Sequence, residues 1–261
     1  MSKQPIGIFD SGVGGTSIWK EICQLLPYEN TIYLADSKYA PYGNKSPEEI
    51  LKLSIKNTEL LIKNNCKLII VACNTATTNA IKTLRNSYNI PIIGIEPAIK
   101  PAALQTKTNA IGILATKGTL ASELFHKTTN LYTNNIQVIE QIGEGIVTLI
   151  EEGKSESVDM KLLLKEYLQP MLDANIDYLV LGCTHYPYII PLLSELLPHH
   201  IQIIDSGEAV AKQTKSVLKS YNLLNTETSN LGNSIFYTNT STGVLSSLLN
   251  NNNLDVLYLD F

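Results

Sequence analysis

Two segments of the chain, Cys73-Asn74-Thr75-Ala76-Thr77 and Cys183-Thr184-His185, each place a thiol at the end of a β-rich run and directly before a helical pattern. A helix N-terminus presents free N–H groups and a partial positive charge, so it is expected to lower a neighbouring thiol's pKa and to bind anions. A free thiol titrates near ~8.5, and a modest downward shift leaves thiol and thiolate both accessible at neutral pH. A group available in both forms suits proton transfer in both directions. Most free cysteines are buried core residues instead; two at equivalent strand ends argue for chemistry.

Asp10 and Ser11 close the first β-rich run and open a Gly12-Val13-Gly14-Gly15 loop, whose glycines would let backbone N–H groups approach an anion closely. The loop lacks the Lys-Ser/Thr of a phosphate-binding loop and the spacing of a dinucleotide fingerprint, and a tight strand-to-helix turn would use the same glycines. Asp10 is placed to orient a thiol or accept its proton. His185, two residues beyond Cys183, can shuttle a proton near neutral pH. His126 in a polar helix, and His199 and His200 after Pro198, stand outside any such motif. The segment from Ala35 to Gly43, ADSKYAPYG, is the kind of loop that carries function more often than core does, but its sequence alone does not say how. Glu151 and Glu152 close a helical stretch and by default are solvated.

The elements that must position these residues are short β-rich runs, IGIFD, TIYLAD, KLIIVAC, IPIIGIE, AIGILAT, IQVIE, DYLVLGC and IQIID, alternating with helical patterns such as Thr75 to Asn86 and Pro187 to Leu197. That alternation predicts an α/β fold of parallel strands joined by crossover helices. The two halves also resemble each other. IGIFDSGVGG at Ile6 matches IGILATKGTL at Ile111, Cys73 matches Cys183, and IPIIGIEPA matches IQIIDSGEA, in the same order and at nearly constant spacing. The expected architecture is two pseudo-symmetric domains whose parallel sheets face a central cleft, one of residues 1–97 plus 208–261 and the other of residues 98–207. Ligand-facing loops lie at the carboxyl ends of such strands, so the cysteines would approach a bound molecule from opposite sides. After IQIID the chain predicts a further helix, a strand at SIFYTNT, a helix at STGVLSSLLN and a last strand at LDVLYLDF; this piece has no match in the first half and is expected to return to the first domain. Asn250 to Asn253 reads as a turn.

With 261 residues, 44% hydrophobic and 17% charged, the chain can bury full cores. Its net charge of −4 offers no basic field for nucleic acid or an anionic membrane. Arg85 is the only arginine, so a substrate carboxylate must be held by N–H groups, hydroxyls or amides rather than by a bidentate arginine. The opening MSKQPIGIFD has no leader pattern and no later run approaches the ~20 apolar residues that span a bilayer, so a cytoplasmic protein with reduced cysteines is expected.

In order and spacing, IGIFDSGVGG, ADSKYAPYG, VACNTA and LGCTHYP make the chain resemble the glutamate racemases of the aspartate/glutamate racemase superfamily over essentially its full length. The resemblance implies two flavodoxin-like domains, glutamate bound between two cysteines, no cofactor or metal, D-glutamate supplied to peptidoglycan for cell-wall biogenesis and cell shape, and a homodimer. It implies that Cys73 works on the face of D-glutamate with help from Asp10, and Cys183 on the face of L-glutamate with help from His185. Substrate contacts would come from Asp10, Ser11, Tyr42, Gly43, Asn74, Thr75, Thr184 and His185, and from Thr116, which the repeat sets opposite Ser11. A catalytic glutamate maps to Glu151 in LIEEG, although GEGIVTLIEEG stands where many members carry a Cys-Pro. Some members bind a cell-wall precursor through an N-terminal extension; with five residues before the first strand, that regulation is not expected here.

Inverting a stereocentre means taking a proton from one face of a carbon and returning one to the other, a geometry that two thiols across a cleft provide. N–H and hydroxyl donors at the strand ends would hold the carboxylates and the developing charge. The rival chemistry is a cysteine hydrolase or amidotransferase with Cys183 as nucleophile and His185 as base; residues i and i+2 at a strand end are expected to point apart, and Cys73 would be idle. A periplasmic-type binding module shares the architecture but leaves the paired thiols unused. Within the superfamily, aspartate racemase is the nearest alternative.

Overall fold

The computed structural model describes residues 3–251 and 254–261. Among the described residues ten strands form two sheets, and every strand pairing is parallel. The strands are β1 (Ile6–Asp10), β2 (Thr31–Ala35), β3 (Leu68–Val71), β4 (Ile92–Gly94), β5 (Ala110–Ala115), β6 (Gln137–Ile142), β7 (Tyr178–Gly182), β8 (Gln202–Ile204), β9 (Ser234–Thr238) and β10 (Asp255–Tyr258). The first sheet runs β10-β9-β2-β1-β3-β4 and the second β6-β5-β7-β8. The inner strands β1, β2, β3 and β5 are buried along their whole length, because helices cover both faces of the sheets. The edge strands β6 and β10 are partly exposed.

The order β6-β5-β7-β8 reproduces β2-β1-β3-β4 strand for strand, so the repeat read in the sequence is a repeat of topology, flavodoxin-like in each sheet. In that order the direction in which successive strands are added reverses between β1 and β3, and again between β5 and β7. Asp10 ends β1 and Cys73 follows β3; Thr116 follows β5 and Cys183 follows β7. The chemistry-bearing residues therefore flank the two switch points, where crevices open at the strands' carboxyl ends.

Beyond β8 the helix Gly207–Ser220 packs on Thr16–Leu25, and β9 and β10 extend the first sheet outward from β2. The connections at Glu96 and Ser206 run side by side, the Ser206 hydroxyl donating to the Glu96 carbonyl.

The segment after Cys183 departs from expectation. A turn, in which Tyr186 N–H donates to the Cys183 carbonyl, leads into a 3-10 helix at Tyr186–Ile189, and the α-helix begins only at Ile190. Pro187 and Pro191 lack N–H donors and are tolerated only in a first turn, which splits the predicted Pro187–Leu197 helix in two. Asn250, with φ 47°, caps the helix Gly243–Leu249 in the left-handed conformation asparagine tolerates; Asn252 and Asn253 lie outside the described residues.

Candidate active site

Cys73 and Cys183 line one small cavity, together with Ser11, Tyr42, Gly43, Asn74, Thr75, Thr116, Thr184 and His185. Its volume is about 10 Å³, room for one water molecule. Hydroxyls close it, with Thr75 Oγ1 2.8 Å from Thr116 Oγ1 and Thr116 Oγ1 3.0 Å from Thr119 Oγ1. Gly43 fits against Thr116, where a Cβ would stand 3.0 Å from the threonine Cβ. Outside that contact a groove of about 710 Å³ shares Gly43 and Thr116 with the cavity.

Cys73 continues from β3 in extended conformation and caps the helix Asn74–Ser87, its Sγ accepting from Ala76 N–H at 3.4 Å. The thiol also reaches Ser11 Oγ at 3.6 Å. The expected lowering of this thiol's pKa does not hold. Burial and then the Asp10 charge push it well above the ordinary thiol range, and the Ala76 and Ser11 contacts do not offset them. A helix N-terminus stabilises a thiolate by a fraction of a charge, whereas full burial removes its hydration.

Around Cys183 the surroundings differ. Because of the intervening turn this thiol caps no helix, correcting the parallel drawn from sequence. The turn instead brings His185 Nδ1 to 3.8 Å from Cys183 Sγ, so residues i and i+2 do not point apart. His185 has the αR conformation, and the chain has already left the strand alternation on which that expectation rested. On the far side of the ring, His185 Nε2 lies 2.6 Å from Glu151 Oε1. Glu151 is not a solvated helix end: its Oε1 accepts from Val13 N–H at 2.6 Å and its Oε2 from Ser37 Oγ at 2.9 Å. Burial lowers the His185 pKa, but hydrogen bonds and charge from Cys183 and Glu151 outweigh it and hold the imidazole well above its ordinary 6.5.

Asp10 is fully buried, and burial raises its carboxyl from 3.8 to about 6 against the opposing charge of His185. It accepts from Gly15 N–H at 2.8 Å and from Thr184 Oγ1 at 3.3 Å, and its Oδ2 stands 4.0 Å from His185 Nδ1. Its hydrogen bonds thus go to the loop and to Thr184, and it acts on Cys73 through its charge.

The glycine loop has a reason sequence did not supply. A Cβ at Gly12 would sit 1.9 Å from Glu151 Oε1, and one at Gly14 would sit 2.2 Å from His185 Nδ1. The loop's N–H groups do meet anions, but these are the protein's own carboxylates, Glu151 at Val13 and Asp10 at Gly15. Asp10 and Glu151 therefore stand behind the cavity wall. Tyr42 lines the cavity while its hydroxyl donates away from it, to Asp36 Oδ2 at 2.5 Å. Asn74 Nδ2 is buried without a hydrogen-bond partner among the described residues, an open donor at the rim of the site.

Sequence reasoning missed Val147, an apolar helix residue with no chemical signal, and Ser37 and Asp36, which lay in the ADSKYAPYG loop without an assigned role. Among the described residues no group of three or more His, Cys, Asp or Glu side chains is placed to hold a metal ion, and no helix is long and apolar enough to cross a membrane.

Two parallel-sheet units with a thiol at each switch point, meeting in one cavity, define a class, and comparison with known proteins gives the same one. The chain belongs to the Asp/Glu/Hydantoin racemase family, whose model matches residues 14–214. It is 44% identical over 229 residues to the glutamate racemase of Herpetosiphon aurantiacus, covering 88% of this chain and 90% of that protein. The fold matches glutamate racemase isoform RacE1 of Bacillus anthracis with a TM-score of 0.88 at 30% identity, covering 100% and 99% of the two chains. It also matches the glutamate racemase of Francisella tularensis in complex with D-glutamate, with a TM-score of 0.85 at 32% identity over 99% and 98%.

Proposed function

We propose that this protein interconverts L- and D-glutamate by proton transfer between two thiols, with no cofactor. The observation that carries the reading is that Cys73 and Cys183, from equivalent ends of two different sheets, line the same cavity. Similarity to curated glutamate racemases supports glutamate as the substrate.

In the L-to-D direction Cys183 removes the α-proton: the C–H bond breaks, an S–H bond forms, and the electron pair left on carbon spreads into the α-carboxylate. Cys73 then gives its proton to the opposite face, forming the new C–H bond and leaving a thiolate; the reverse reaction exchanges the roles. Burial keeps the Cys73 thiol protonated in the closed cleft, the form this direction needs. His185, raised by Cys183 and Glu151, takes and returns the Cys183 proton at 3.8 Å, and Glu151 fixes the ring. Asp10 tunes Cys73 by its charge. Asn74 Nδ2, the Ser11, Thr75 and Thr116 hydroxyls and the Tyr42–Gly43 backbone supply the neutral donors a chain with one arginine must use for the substrate carboxylates. Glutamate is far larger than the present cavity, so the Gly43–Thr116 contact opens to admit it.

The reading extends to two lobes, residues 1–97 with 208–261 and residues 98–207, to a homodimer in the cytoplasm, and to D-glutamate supply for peptidoglycan. The test is incubation of purified protein with L-glutamate and with L-aspartate, followed by chiral chromatography. D-Glutamate accumulating toward an equal mixture supports the reading; conversion of aspartate alone assigns the aspartate alternative, and conversion of neither refutes both.

A further inference from the structure

The ADSKYAPYG loop holds a carboxylate that the mechanism above does not use. Asp36 is fully buried, and its backbone N–H donates to the carbonyl of Asp10 at 3.1 Å where β1 and β2 end. Its Oδ2 accepts from Tyr42 Oη at 2.5 Å, Asn57 Nδ2 at 3.0 Å and Lys56 Nζ at 3.1 Å; its Oδ1 accepts from Lys56 Nζ at 2.9 Å and Asn239 Nδ2 at 2.6 Å. Lys56 and Asn239 also donate to the main-chain oxygen of Phe261, at 3.2 and 3.3 Å. Three elements thus converge on this one anion at the end of β2: the Tyr42–Asn44 turn, the helix Pro47–Lys63 and the residue following β9.

Stability alone is a weak reason for such a cluster, because buried ion pairs are often no more stabilising than well-packed apolar residues of the same volume. Its position supplies another. Pro41, Tyr42 and Gly43 form one wall of the cavity, and Tyr42 is tied to Asp36 through its hydroxyl. Burial and then the Asp36 charge hold the Tyr42 phenol well above its ordinary range, so it remains a donor. A tyrosine fixed in this way presents its ring and backbone to the cavity and withholds its hydroxyl.

Resting on the two-thiol glutamate reading, we infer that Asp36 is a positioning residue, a buried anion, neutralised by Lys56, that sets the Pro41–Gly43 wall against bound substrate through the Tyr42 hydroxyl. It touches neither thiol, so its work is on substrate binding rather than on proton transfer.

The experiment compares wild type with Tyr42→Phe, Asp36→Asn and the double variant, by chiral assay of kcat and KM for L-glutamate together with Tm. Tyr42→Phe removes only the hydroxyl and keeps the ring, so it tests the link even if Asp36→Asn folds poorly. The expected result is a rise in KM of about fivefold or more in Tyr42→Phe, the loss expected from one hydrogen bond, with kcat within about twofold of wild type. The double variant is expected to bind no worse than Asp36→Asn, because both changes break the same link. Unchanged KM in Tyr42→Phe and Asp36→Asn, with Tm lowered, would mark a merely structural cluster and overturn the inference. A wild-type protein that leaves L-glutamate unchanged would sink the underlying reading instead.

Discussion

Cys73 and Cys183 occupy matching places in the repeat, just beyond β3 and β7 in the shared orders β2-β1-β3-β4 and β6-β5-β7-β8, yet their neighbours differ in kind. Cys73 has a helix N–H, a serine hydroxyl and the charge of a buried aspartate; Cys183 has an imidazole backed by a carboxylate. The topology fixes where a thiol stands, and the loops arriving from other elements decide what acid or base it becomes. A duplicated fold thus brings two thiols to one cavity while leaving the surroundings of each free to differ. Each half also lends parts to the other: Thr184, beside Cys183, donates to Asp10 of the first sheet, and Val13 and Ser37 of the first sheet hold Glu151.

The largest expected effect comes from removing either thiol. Cys73→Ala and Cys183→Ala each delete the acid or base of one face and should lower kcat by about 10²–10⁴-fold in a chiral assay. A Cys73→Ala protein racemising at a near-normal rate would reduce the comparison to one working thiol.

On the Cys183 side, Glu151→Gln keeps the shape of the carboxylate and removes its charge, and should lower kcat/KM by about 10- to 100-fold, less than the loss of a group that itself moves the proton. Since Glu151 helps to raise His185, its loss lowers that imidazole's pKa, and the alkaline limb of kcat/KM should move to lower pH. Stability from the raised His185 is fully present below about 6.5 and is lost as pH rises through its folded value; in Glu151→Gln that loss should be complete at lower pH. A pH profile unchanged in position would separate Glu151 from His185.

On the Cys73 side, Asp10→Asn should cost less, about tenfold in kcat, because the residue acts on a thiol without replacing it. Burial raises the Asp10 carboxyl from 3.8 to about 6, so ionising it in the fold costs stability that is absent below pH 4 and grows as the pH passes from 4 to 6. The variant's Tm should match wild type at pH 4 and exceed it at pH 7.5. A Tm lowered equally at both values would contradict that assignment. The smallest expected effect is none at all: dialysis against a chelator or treatment with hydroxylamine should leave the rate of both half-reactions unchanged.

Much of this arrangement is legible in the chain. Alternating β-rich and helical runs give the α/β class, and Cys73, Cys183, Asp10 and His185 stand in short motifs at strand ends, where the parallel-sheet rule sends function. What is not legible is how distant elements meet. Glu151 ends an ordinary helix, and nothing local says that its carboxylate would be received by Val13 N–H and Ser37 from the other sheet's loops. The crowding at Gly12 and Gly14 reflects side chains more than a hundred residues away. The thiol pKa expected from a helix N-terminus fails at Cys73 because burial is a property of the closed cleft, not of the motif.

The central claim, that two different thiols serve the two faces, is tested most directly by isotope transfer. L-Glutamate is incubated with the protein in deuterated water, and the α-position of product and remaining substrate is followed by mass spectrometry from the earliest turnovers. If Cys183 takes the α-proton while Cys73, already exchanged with solvent, supplies the other face, early D-glutamate carries deuterium and the L pool stays protiated until the reverse reaction begins. Early D-glutamate retaining substantial protium would mean that one base returned the proton it had taken, and would contradict the two-thiol account even if both cysteines proved essential.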